Sequence, residues 1–442
     1  MICYLKNNLL KKINLIIKNT YLFFFLFITI IAFITIIFCL LMVAQNPTII
    51  DESNRMNIFA ISNEFGNAIR SIYENGTSKI NFFNVMEFSS SRRPVLPYFI
   101  IFVYEYISTN YYIIHLFKNL LFGTLIFFTI KYTKKEFNNF FLFFCLILIF
   151  YNPHNTFTML YTEAEEGFLN YLIIILFFFL IGKIKYKSIF VGAILSIIFF
   201  TKDSMFVFTG LISFAYIFIE KDKFKFMPII FILLSNFLWG LIIYNKSGFF
   251  VLGASGSPYN ALNLANVYQK DFIKTYPQIR PDINYYKTVN LIKEKKINNE
   301  KDLNNILIKQ SLDFIKDNPK DVFIGIIKKI YVITLSPYKD AQMPNENGNL
   351  HNPIRYSNFP NKIFFNVTII MILFNFFRSG FFWLKNTNDL YYLLIVIFYL
   401  APYLIAFVYP KHCTVIYTIS CIYLFLKFIE IKKFKLKKIL EI

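Results

Sequence analysis

Charged residues are scarce in this chain. They make up 16% of 442 residues, where a soluble domain carries about 25%, and that argues against a water-soluble globule. Acidic residues are the scarcer sign: 26 Asp and Glu stand against 46 Lys and Arg, a formal net charge of +20. Glycine and proline number only 14 and 15, which excludes collagenous and low-complexity disordered classes. Five cysteines frame no disulfide-rich secreted fold. Cys39, Cys145 and Cys421 lie inside apolar runs, Cys3 sits in the basic N-terminus, and Cys413 follows His412, with no metal-clamp spacing among them. Soluble-enzyme signatures are missing too: no Gly-x-x-x-x-Gly-Lys phosphate loop, no His-Glu-x-x-His and no Gly-x-Ser-x-Gly. Gly253 and Gly256 imitate a phosphate cradle weakly.

What the chain has instead is apolar mass in long blocks. Hydrophobic residues reach 56%, aromatic residues 20%, and 57 Phe exceed what a soluble core of this length can hide. A membrane-crossing helix needs about 20 mostly apolar residues. Candidate spans fall at 20–44, 109–131, 137–152, 167–182, 187–201, 204–219, 226–244, 363–381, 388–408 and 413–430. The expected fold is therefore an all-α polytopic membrane protein with about ten transmembrane helices, outer-face interfacial helices and a small, mainly helical extracytoplasmic segment. The first run is too long for a signal-peptide core and lacks a small-residue cleavage site, so it reads as an uncleaved span.

The excess of lysine serves topology. Lysines cluster in short connections between apolar runs, not on one soluble stripe, so nucleic acid is not an expected partner. With the N-terminus in the cytoplasm, the basic connections around Lys6–Lys18, Lys131–Lys135, Lys183–Lys187, Lys221–Lys225, Arg378–Lys385 and the tail after Lys427 all fall inside. The short outer turns hold only Lys202 and Lys411, as the positive-inside rule requires. Both termini are then cytoplasmic, in a bacterial plasma membrane. Residues 1–244 form a transmembrane module with a first outer loop at 45–108. Residues 245–361 form an extracytoplasmic segment, and 362–442 the last spans and basic tail. Ile58, Ile61, Phe65, Ile69 and Ile72 make one apolar helical stripe suited to the membrane interface. Val95–Ile107 reads as a second interfacial or re-entrant helix, and 302–335 as helical.

The few outer charges are the candidates for chemistry. Asp51 and Glu52 follow the first span, and Glu163, Glu165 and Glu166 precede the fourth. Carboxylates from two loops on one face can act as a general base or bind a hard divalent cation. A blander reading makes Asp51 a helix cap and the glutamates partners of a helix dipole. Arg92, Arg93, Lys202, Lys411 and His412 are the outer cations. They suit a lipid phosphate held by charge-assisted hydrogen bonds, or else they snorkel to headgroups. His115 and Lys118, three apart within the second span, are ionisable groups at depth; packing of the histidine and snorkelling of the lysine are the alternatives.

The order of these features resembles the GT-C membrane glycosyltransferases, nearest to the protein O-mannosyltransferase and aminoarabinose-transferase-like branch. Asp51-Glu52 stands where that family places its acidic motif. Arg92-Arg93-Pro94-Val95-Leu96-Pro97-Tyr98 is similar to the stretch opening its second interfacial helix. Tyr161-Thr162-Glu163 resembles its Thr-Glu before a span. Trp239 through Gly248-Phe249-Phe250 and Ser255-Gly256 resembles its exit into an outer domain, and Tyr409-Pro410-Lys411-His412 its late turn. Val95, Asn245-Lys246 and Lys411-His412 depart from the usual Pro, Arg-Asn and Arg-Tyr.

The resemblance implies transfer of a sugar from a polyprenyl-phosphate donor to a lipid, glycan or protein acceptor outside. Asp51 would take the acceptor proton. Arg93, Lys202 and Lys411 would stabilise the leaving phosphate. Inverting transfer without metal is the expectation, and a divalent cation held by Asp51 and Glu163 is the alternative. A lipid-linked sugar transporter or flippase, a polysaccharide polymerase or ligase, and a structural membrane protein are the rivals.

Overall fold

The computed structural model describes residues 111–133, 164–202, 204–247, 264–265, 267–275, 300–335, 359–380, 386–406 and 413–440, with positions in 24–35 and 95–108 and the single residues Ile149 and Phe250. Every regular element among them is a helix. In chain order these are α1 (Tyr111–Thr133), α2 (Ala164–Ile181), α3 (Lys187–Phe199), α4 (Met205–Ile219), α5 (Met227–Ser247), α6 (Lys270–Thr275), α7 (Glu300–Asp317), α8 (Pro319–Thr334), α9 (Phe359–Ser379), α10 (Thr387–Ile405) and α11 (Thr414–Leu440). The described positions from 24 to 35 are helical as well. The apolar runs expected at 109–131, 167–182, 187–201, 204–219, 226–244, 363–381, 388–408 and 413–430 thus appear as helices, with ends within a few residues of those read from the sequence except that α11 continues to Leu440. The run at 137–152 lies outside the described residues apart from Ile149.

Local sequence explains the helix ends. Pro319 cannot continue α7, because it lacks an N–H and disfavours α geometry at Asn318. It opens α8 at the first helical position, with Asp321 in the first turn. The Asn386 side chain accepts a 3.0 Å hydrogen bond from the Asn388 N–H and starts α10. Tyr186, at φ 60°, turns the chain between α2 and α3.

α2 is the enclosed element. Every residue from Gly167 to Ile181 is buried, as a helix apolar on all sides demands. It packs against α1, α3, α10 and α11. Phe122 of α1 stacks on Tyr171 with ring centroids 4.8 Å apart and meets Phe168 edge-on at 4.9 Å. The Tyr171 hydroxyl donates to Asn119 Oδ1 at 3.1 Å, and Asn119 Nδ2 donates to Thr35 Oγ1 at 3.1 Å. That chain of bonds ties the first helical run, α1 and α2 together inside the apolar core. At the far end of α2, a Cβ on Gly182 would lie 2.7 Å from Thr133 Cβ, so glycine is what lets the ends of α1 and α2 meet.

The helix ends sort into two groups. Thr133 meets Gly182, Lys187 pairs with Glu220, Tyr391 bonds Glu220, and Lys427 pairs with Asp389. The opposite group contains Phe200 beside Trp239, Lys202 beside Tyr403, and Tyr417 bonded to Ile333. Lys131, Lys183, Lys185, Lys221, Lys223 and Lys225 fall by chain position with the first group.

Among the described residues one helix, Thr387–Ile405, is both long and apolar enough to cross a bilayer. Gly167–Ile181, Lys187–Phe199, Met205–Ile219, Met227–Leu241 and Thr414–Ile429 are apolar but shorter. At about 1.5 Å rise per residue, the 13 residues of α3 fall short of a hydrocarbon core of about 30 Å.

The α3–α5 contact also depends on glycine. A Cβ on Gly192 would sit 2.9 Å from Phe231 Cδ2 and 3.3 Å from its Cβ. Gly192→Ala is therefore expected to destabilise the protein by about 1–3 kcal/mol through overpacking. Thermal unfolding in lipid nanodiscs checks this against Gly210→Ala, where nothing lies within 4 Å.

Candidate functional site at the Lys202 end

Lys202 lies in the turn from α3 to α4. Thr201 Oγ1 donates to the Ile197 carbonyl at 2.7 Å, and the Met205 N–H donates to the Lys202 carbonyl at 3.1 Å. The Lys202 ammonium stands 5.4 Å from the Tyr403 ring centroid, within range of a cation–π attraction. Tyr403 is buried, with its hydroxyl 3.5 Å from that of Tyr399. An aromatic wall near the end of α10 thus holds one of the expected outer cations.

Other motif-bearing segments arrive at the same place. Val95, the second residue after Arg93, donates its N–H to the Phe200 carbonyl at 3.1 Å. The described positions from Val95 to Tyr106 are helical, as expected of this stretch. Phe99 packs on Phe117 of α1 at 6.2 Å and edge-on to Phe168 of α2 at 4.9 Å. Glu165 and Glu166 fall in the first turn of α2, within one turn of Phe168. Phe200 in turn meets Trp239 of α5 at 6.4 Å.

Of the expected site residues, Lys202 is the described one. Asp51, Glu52, Arg92, Arg93, Glu163, Lys411 and His412 lie outside the described residues, as does the stripe from Ile58 to Ile72. Lys118 does not snorkel: it is 0% exposed, with its ammonium 6.0 Å from the Tyr171 ring. Among the described residues no three His, Cys, Asp or Glu side chains gather as a metal site. Asp51 and Glu163, the pair considered for a divalent cation, are not among them.

Three further lysines at this end escaped sequence reasoning. Lys328 donates to the carbonyls of Ile273 and Lys274 at 2.7 and 2.9 Å, at the end of α6. Lys329, buried, donates to Leu404 and Ile405 at 2.7 and 3.1 Å, at the end of α10. Lys362, buried, donates to Val332 at 3.1 Å, near the end of α8. Each cation meets C-terminal carbonyls that have no partner within their own helix. Tyr268 adds a bond to Ile405 at 2.8 Å, Asn366 one to Thr334 at 2.8 Å and Tyr417 one to Ile333 at 2.6 Å. The signal was present in the sequence, since Lys328-Lys329 interrupts an apolar helical run in a segment expected outside, where positive-inside statistics disfavour cations.

The opposite end is built from carboxylates that were likewise overlooked. Glu220 pairs with Lys187 and accepts from the Tyr391 hydroxyl at 2.7 Å. Asp222 accepts from Ser188 at 2.8 Å and from the Phe224 N–H at 3.2 Å. Asp389 pairs with Lys427 and accepts from Tyr423 at 2.8 Å. These contacts clip α3, α4, α10 and α11 together among the basic connections. No family model, curated protein or solved structure matches the chain.

Burial lowers the Lys329 ammonium from 10.5 to about 8. Below pH 8 the lysine is protonated in both the folded and the unfolded chain. Between about 8 and 10.5 the unfolded chain holds more protons, so stability rises with pH across that window. In thermal unfolding, the wild type is expected to gain stability relative to Lys329→Met across that window and to keep a constant difference below it. A difference that ignores pH would contradict the buried ammonium.

Proposed function

We propose that the chain is a multi-pass membrane glycosyltransferase, moving a sugar from a polyprenyl-phosphate donor to an acceptor on the outer side of a bacterial plasma membrane. One observation carries the proposal. The segment after Arg92-Arg93-Pro94 is bonded through Val95 to Phe200, two residues before Lys202, and the first turn of α2 lies alongside through Phe99 and Phe168. Sequence neighbours of the expected phosphate-binding cations and of the acidic cluster therefore meet at one end of the bundle. The short basic connections gather at the other end, which supports an outer location for the site under the positive-inside rule.

In the multi-pass arrangement α1–α5 and α9–α11 cross the membrane together with 20–44 and 137–152, both termini are cytoplasmic, and α6–α8 belong to the outer segment. The short α3 and α4 are extended by their turns and flanked by partners that cover their polar ends.

The chemistry is a single displacement at the anomeric carbon. Asp51 takes the proton from the acceptor hydroxyl as that oxygen bonds to the anomeric carbon, and the bond from that carbon to the phosphate oxygen breaks. The electron pair leaves with the polyprenyl phosphate. Arg92, Arg93 and Lys202, with Lys411 and His412, stabilise the charge gathering on that phosphate. Glu52 and Glu163 support the carboxylate face. Phosphate is a good enough leaving group to need no separate acid.

Release of polyprenyl phosphate from a polyprenyl-phosphate sugar, in membranes carrying the protein, is the test. Asp51→Asn is expected to abolish release with expression intact. Lys202→Ala is expected to lower kcat on the order of 100-fold, the scale of losing one donor to a developing anion. Unchanged release in Asp51→Asn would sink the proposal. A protein that moved the donor across the membrane and never cleaved it would be a transporter.

A further inference from the structure

The two helices of the 300–335 hairpin present opposite faces to their surroundings. The exposed side of α7 is polar, carrying Asp302, Asn305, Lys309, Gln310, Asp313, Lys316 and Asp317 beside one apolar residue, Leu312. One residue later, past Asn318, the pattern inverts. The exposed side of α8 carries Phe323, Ile324, Ile327, Ile330 and Tyr331, and Leu335 follows at its end. Phe323 is 62% exposed, Ile327 50% and Leu335 68%. Their spacing of three and four puts them on one face, and beyond Lys320 in the first turn that face has no charge.

The stripe is not a core face left open by chance. The opposite side of α8 is already docked: Gly325 lies against Ile273, Lys329 on the end of α10, and Val332 and Ile333 on α9 and α11. The end of α8 packs beside α9 through the bonds of Lys362 and Asn366 to Val332 and Thr334. α9 likewise exposes an apolar face, Ile363, Val367, Ile370, Phe374 and Phe377.

We propose that α8 is a membrane-embedded interfacial helix, its Phe323–Leu335 stripe lying in the acyl region of the outer leaflet while α7 faces water. The inference rests on the membrane-spanning arrangement of α9 proposed above. The neighbouring apolar face of α9 selects lipid as the occupant, and Lys320 at the start of the stripe suits anionic headgroups. α8 then fixes the height of the outer segment. Its lysine contacts hold the ends of α6 and α10, so the end carrying Lys202 is set at headgroup depth, where a lipid-linked phosphate lies.

The test uses the full chain in vesicles of phosphatidylethanolamine and phosphatidylglycerol. The photocrosslinker p-benzoyl-phenylalanine replaces one residue at a time: Ile327 on α8, Phe374 on α9, or Gln310 on α7. Mass spectrometry of the irradiated protein is expected to show lipid adducts at positions 327 and 374 in similar yield, and none at 310. Lipid adducts at 374 without adducts at 327 would overturn the inference while leaving α9 in the membrane. So would protein–protein crosslinks at 327 in place of lipid. Loss of adducts at both 327 and 374 would overturn the membrane arrangement itself. Each substitution is on an exposed face, and Leu335 as a further position gives the same readout should one variant fail to fold.

Discussion

A helix ends with carbonyl groups that its own backbone cannot satisfy, and in an apolar setting each one left bare is costly. This structure meets that constraint with lysine. Lys328, Lys329 and Lys362 each reach across to the C-terminal carbonyls of a different helix, α6, α10 and α8 in turn. These bonds, with Phe272, Val332 and Ile333 in the apolar core, set where α6–α8 sit against the bundle. Carbonyl dipoles hold an ammonium without cancelling its charge. At the opposite end Lys187 and Lys427 instead pair with Glu220 and Asp389.

Beneath those caps, α2 supplies the rigid reference. A helix buried over its whole length has no free face on which to slide or rotate, and interiors packed to crystal-like density resist small shifts. The Thr35–Asn119–Tyr171 bonds add direction to that packing, since a hydrogen bond inside a low-dielectric core is strong and costly to misplace. Phe99 and Phe168 then connect this frame to the stretch following Arg92-Arg93. The helical positions that follow Arg92-Arg93 in the sequence are thus packed on the most deeply buried helix of the fold.

The helices were legible because a long apolar run is a signal that tertiary context rarely overrides. Eight expected runs coincide with α1–α5 and α9–α11, and even the short α3 was visible between Lys187 and Phe200. The helical expectation for 302–335 also holds, broken at Asn318 where Pro319 forces a stop. α6 was not legible, because six residues of Lys-Asp-Phe-Ile-Lys-Thr carry too little periodicity; packing on α8 through Ile273 makes it a helix. Lys202 stood out in the sequence as an outer cation, yet its partner Tyr403 did not, since nothing local links residues two hundred apart. The lysine caps were hidden for the same reason: their partners are backbone carbonyls distant in the chain, which have no letter in a sequence.

The two ends of the bundle then impose different demands on the same kind of residue. At the Lys187 end, carboxylate partners fix α3, α4, α10 and α11 relative to one another. At the Lys202 end, aromatic faces and carbonyls hold the lysines, and such partners leave an ammonium able to attract an incoming anion. A phosphate carried by a lipid reaches a protein along the membrane surface, and α8 would lie in that path with its apolar stripe toward the acyl chains. Carboxylates thus fasten one end, while carbonyls and aromatic faces hold the lysines of the other.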